Sequence, residues 1–130
     1  MIDIDATARA FLLADTAVAT AFADRVWAST DVPPEDYDPA VGGGVCIQSR
    51  GGQKRYEGLL APSMQVKCYG QDSVAAWNTY KLVAEALSEK AGATVRWSDV
   101  EVLGQAIEEP ETGRWFVLGF FQMFMLPSAA

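Results

Sequence analysis

The run Trp115-Phe116-Val117-Leu118-Gly119-Phe120-Phe121-Gln122-Met123-Phe124-Met125-Leu126 constrains this chain more than any other segment. A half-exposed strand alternates apolar and polar residues, because successive side chains point to opposite faces. Here Trp115, Val117, Phe121, Met123 and Met125 fill one face, and Phe116, Leu118, Phe120, Phe124 and Leu126 fill the other. Helices packed on one side of a sheet cover only one of these sets. The second set needs its own cover, and a neighbouring copy of the chain is the simplest. The alternative cover is the long proline-rich loop upstream. As a helix the run is too short to cross a bilayer, so no membrane partner is expected.

The remaining segments supply what such a strand must pack against. Asp3 or Asp5 is placed to cap a helix through Ala6–Leu13, Asp15 to break it, and Thr16 to cap a second short helix through Val18 and Phe22. Arg25–Ala28 reads as a short strand. Pro33, Pro34, Pro39 and Gly42-Gly43-Gly44 make the following stretch a loop. Val45–Arg50 and the alternating Ser63–Tyr69 read as two strands around a flexible basic tip. Asp72 or Ser73 begins the main helix, in which Trp77, Tyr80, Ala84, Leu87 and Ala91 form one apolar stripe, widened by Val74 and Val83. Gly92 is its expected stop. A strand from Val95 to Glu108, irregular near Gly104, turns through Pro110–Gly113 into the final run. The expected fold is α+β, with two layers: helices on one face of a four- to five-stranded, mostly antiparallel sheet, forming one domain over residues 1–130.

The same elements carry few of the residues that chemistry needs. The chain has no histidine, so the commonest general base is missing and a Ser-His-Asp or Cys-His site is excluded. Two cysteines cannot make a zinc site by themselves. Val45 and Ile47 are expected to face the core, turning Cys46 to the other face, while Cys68 shares the inner face with Met64 and Val66. Opposite faces forbid a disulfide, so both thiols are expected free. Gly42–Gly44 is followed by neither the Lys-Ser/Thr nor the helix of a phosphate loop. Glu108, Glu109 and Glu111 flank a turn, where solvated charge is the ordinary role. No enzyme, cofactor or metal is expected. The net charge of −7 disfavours sequence-specific nucleic-acid binding. The acidic N-terminus lacks the positive region of a signal peptide, so the chain is expected to stay in the cytosol. Against this acidic background Arg50, Lys54 and Arg55 stand out as a positive, glycine-flanked tip suited to contact an acidic surface or passing DNA.

Several blocks resemble the tail-completion, or tail-terminator, proteins of long-tailed bacteriophages and related particles. They are Ala10-Phe11-Leu12-Leu13-Ala14-Asp15-Thr16-Ala17-Val18, Asp24-Arg25-Val26-Trp27, Pro33-Pro34, and Ser63–Gly70 running into Ala75 and Ala76, together with the aromatic final strand. The resemblance implies a non-enzymatic virion subunit, assembled in the host cytoplasm. It implies a ring, typically of six copies, that caps the tail tube and joins it to the head connector, with non-specific passage of DNA through its channel. The candidate partner contacts are Arg50, Lys54, Arg55, Phe116, Leu118, Phe120 and Phe124. The alternative is a cytosolic homo-oligomeric binding module that recognises an acidic partner through the basic tip.

Overall fold

The computed structural model describes residues 2–22, 24–51, 55–56 and 58–128, and of residues 55 and 56 only the backbone. Helix α1 (Ile4–Leu13) begins where the Asp3 carboxylate accepts the Ala6 N–H at 3.1 Å. Helix α2 (Thr16–Phe22) is capped by Asp15, which accepts the Val18 N–H at 3.1 Å. The cap is therefore the residue that interrupts α1, not Thr16, which is already helical. Its carboxylate offsets donors that the first turn leaves unpaired.

Strand β1 (Val26–Ala28) pairs in parallel with β2 (Gly44–Ser49), Val26 lying opposite Val45. A parallel neighbour needs a long return connection, and the proline-rich loop provides it. The glycines closing that loop serve close packing. A Cβ on Gly43 would stand 2.3 Å from the Thr79 hydroxyl, and one on Gly44 2.7 Å from the Trp27 ring. Arg25 ties the crossing down, donating to the carbonyls of Gly43 and Ala21, each at 2.9 Å.

A two-residue pair, β3 (Arg55–Tyr56) and β4 (Leu59–Leu60), follows before β5 (Ser63–Gly70), helix α3 (Ser73–Leu87), β6 (Val95–Glu108) and β7 (Trp115–Met125). The main sheet runs β1-β2-β5-β7-β6, and β4 extends it past the end of β5 by pairing Leu60 with Met125. The α+β class holds. The mostly antiparallel pairing holds too, β1–β2 being the one parallel pair among the described residues, but the plain two-layer sheet of four or five strands does not, because seven described strand segments form a mixed, strongly curled sheet. Three register shifts in β6, between Val95 and Trp97, Val100 and Val102, and Val102 and Gln105, match such curling, since bulges bend and twist the strand that carries them.

Helix α3 packs on the inner face with Tyr80, Val83 and Leu87 of the expected stripe buried, but its buried face is turned away from Trp77 and Val74. Asp72 caps it, accepting the Ala75 N–H at 2.8 Å. Ala76, Thr79, Tyr80, Val83, Ala86 and Leu87 are buried, whereas Trp77 is 39% exposed and Val74 68%. Two close approaches set this phase. The Ala75–Ala76 backbone lies against Gly70, where an added Cβ would come within 2.4 Å of the Ala76 nitrogen. The Thr79 hydroxyl bonds the carbonyl of Tyr69, at the end of β5, at 3.0 Å. The helix ends at Leu87, and Glu89 rather than Gly92 takes the positive φ, 52°.

Tyr80 then lies over a floor made by two glycines. Its hydroxyl accepts the Gly104 N–H at 3.0 Å, and a Cβ on Gly104 or Gly119 would come within 2.9 or 2.8 Å of its ring. The expected irregularity at Gly104 is thus the place where β6 makes room for the helix.

Candidate interface on the outer sheet face

The two faces of β7 are covered to different degrees. Val117, Phe121, Met123 and Met125 lie in the main core with Val45, Ile47, Met64, Val66 and Cys68, beneath the helices. The opposite, outer face divides along its length. At the start of β7, Phe116 is buried in a cluster with Tyr37, Cys46 and Tyr69, against which Trp27, Ile107 and Leu118 pack. Farther along, Leu118, Phe120 and Phe124 are only half-buried.

The cover over Phe116 is the proline-rich loop. Tyr37 meets Trp27 edge-on at 5.1 Å and Tyr69 at 6.3 Å, and its hydroxyl donates to the Gly42 carbonyl at 2.8 Å. Arg114 fastens the loop. It donates to the Tyr37 carbonyl at 2.9 Å and sits 5.6 Å from the centre of the Tyr37 ring. Lys67 lies 4.8 Å from the Phe116 ring centre, so its charge rests on an aromatic face. Phe116 is therefore corrected as a candidate partner contact: the chain's own loop buries it.

The exposed half of the face is larger than β7 alone provides. Register places Trp97 beside Phe124 and Val102 beside Phe120, on the same face. Trp97, Val102, Leu118, Phe120 and Phe124 thus form an apolar surface interrupted by a polar band. Within the band, Ser63 donates to Glu101 across β7 at 2.5 Å, and Gln122 donates to the Pro62 carbonyl at 3.0 Å. Trp97 and Val102 escaped sequence reasoning because the bulges of β6 break the period of two that would have assigned their face. The usable signal was their place in a strand expected to neighbour the final run.

The basic tip is only partly described. Arg50 is exposed just after β2, and its N–H donates to the Ser63 carbonyl at 2.8 Å. Arg55 contributes backbone to β3 opposite Leu60. Lys54 lies outside the described residues.

Nothing in this geometry prepares a nucleophile. Both cysteines are free and buried, on opposite faces as expected. Burial pushes the Cys46 thiol up to about 12 and raises the Cys68 thiol as well, so both are protonated and unreactive near neutral pH. Burial likewise raises Tyr37 to about 12, and raises Tyr69, whose hydroxyl donates to Glu109 at 3.1 Å. Glu109 also accepts from Thr112 at 2.7 Å. It builds the β6–β7 turn and is not merely solvated charge. Among the described residues no three His, Cys, Asp or Glu side chains group as metal ligands, and no helix is long and apolar enough to cross a membrane.

No protein-family profile and no curated protein matches the chain. Among solved structures the chain is similar to one in a structure titled "Virion of native gene transfer agent (GTA) particle". It aligns with a TM-score of 0.61 at 13% identity, over 89% of each chain. The two share a fold. In that shared architecture the half-covered outer face is where this chain has apolar surface left to bury, and the loop-covered end is where it has none.

Proposed function

We propose that the chain is a non-enzymatic structural subunit of a phage or phage-like particle. In this reading it forms a ring of six copies that caps the tail tube, joins it to the head connector and leaves a channel for DNA. The outer face carries the reading: Leu118, Phe120 and Phe124, extended by Trp97 and Val102, are an apolar surface on a chain whose fold is also that of a virion component. Each such side chain contributes roughly 1.5–3 kcal/mol when taken from full exposure to full burial, and apolar side chains left open on both sides of the polar band give a neighbouring copy a surface to cover. The absence of histidine and the inert thiols agree with a subunit that works by assembly.

The test substitutes Phe120→Asp. The variant should match the wild type in circular dichroism and lie within a few degrees in Tm, yet form no rings and leave tails unjoined to heads in a complementation assay. Normal joining by the folded variant would remove the outer face from the interface.

A further inference from the structure

The strands of the sheet share one axis, and its two ends differ in charge. At one end Gly44 lies opposite Tyr69, Gly70 opposite Trp115, and Glu108 opposite Trp115. The proline-rich loop and the β6–β7 turn meet there around a groove of about 570 Å³, lined by Val32, Pro33 and Pro110 together with Glu35, Glu109 and Glu111. Among the described residues the one cation lining it is Arg114, which is engaged with backbone, donating to the carbonyls of Tyr37 and Glu35 at 2.9 and 3.4 Å. At the other end of the same strands, after Ser49, the chain presents exposed Arg50, and Lys54 and Arg55 follow in sequence.

We infer that the acidic groove of one copy receives the Arg50-bearing end of the next. Charge complementarity selects this occupant. In a chain of net charge −7 most surfaces of two copies repel, whereas Arg50 is an exposed positive charge, with Lys54 and Arg55 close behind it in sequence, to set against Glu35 and Glu111. Because groove and tip lie at opposite ends of the sheet, the contact is head-to-tail. Such a contact generates a ring where the rotation closes and a filament where it does not. The loop that walls the groove also covers Phe116, so a copy seated there can continue onto Leu118 and Phe120. The inference rests on the proposal that the chain self-assembles, and supplies its polarity.

Two charge-reversed proteins test it: Glu35→Lys with Glu111→Lys, and Arg50→Glu with Lys54→Glu and Arg55→Glu. Glu109 is left alone because it holds Tyr69. Sedimentation velocity at low salt, up to millimolar protein, should show wild-type self-association that weakens as salt rises. Each variant alone should associate at least about tenfold more weakly. Their equimolar mixture should recover wild-type association, because every junction then pairs opposite charges. A variant that associates like the wild type, a mixture of two folded variants that fails to recover, or a wild type monomeric throughout would overturn the contact. The functional proposal is judged separately, by whether the wild type, and not Phe120→Asp, joins heads to tails. The contact can fail while that result stands.

Discussion

Strands β6 and β7 are antiparallel neighbours that both carry large apolar side chains, yet those side chains are used oppositely. Strand β7 runs between β5 and β6 in unbroken register with β5, and buries Phe116, Val117, Phe121, Met123 and Met125. Strand β6 pairs with β7 and, apart from one bridge between Ser98 and Lys90, has no second neighbour among the described residues; it shifts register three times and leaves Val100, Val102 and Leu103 exposed, Leu103 by 76%. Hydrophobicity does not decide which apolar residue is core. Having a strand on both sides and a layer over the face does, and an edge strand has neither in full.

The comparison breaks most visibly at Phe121, which is completely buried and lies 6.4 Å from the Tyr80 ring. Phe121→Ala should cost about 3–5 kcal/mol, measured by urea unfolding, and Phe121→Asp should not fold. A mild Phe121→Ala phenotype would mean that the inner face of β7 tolerates collapse and is not the rigid centre of the sheet.

An intermediate effect belongs where the two strands share a partner. Tyr80 occupies the room left by Gly104 on β6 and Gly119 on β7. Gly119→Ala should cost about 1–3 kcal/mol by overpacking. Adding Tyr80→Ala should relieve part of that penalty, so the double variant is less destabilised than the sum. Strict additivity would show that the ring and the glycine do not press on each other.

The smallest effect should come from Leu103. Replacing this exposed residue with Ser should change stability by no more than about 0.5 kcal/mol. A larger loss in dilute, monomeric protein would mean that β6 is covered after all.

This contrast also explains what was legible in the sequence. The elements were visible because their signals are local: carboxylates at helix starts, glycine and proline in the loops, and a period of two in Ser63–Gly70. The faces of Cys46 and Cys68 followed from that same period. The phase of α3 did not, because large apolar residues suggested Trp77, while the fold chose the small Ala76 to lie against Gly70 and the hydroxyl of Thr79 to bond Tyr69. Those are contacts between distant elements, and side-chain size or polarity does not announce them. The parallel β1–β2 pair was hidden for a related reason: the loop between them reads only as irregular, and nothing local says that it carries the chain back along the sheet. The site was half legible. The doubly apolar final strand exposed the problem of the second face, but not that Tyr37 and Arg114 would solve it at Phe116 alone.

The two buried thiols on opposite sides of the sheet are also clocks. A small thiol reagent reaches Cys46 when the proline-rich loop lifts from the outer cluster, but reaches Cys68 only when the helices part from the sheet. Modification rates at the two sulfurs therefore time two separate openings of one molecule. A neighbouring copy resting on the outer face slows the first clock and leaves the second at its own pace.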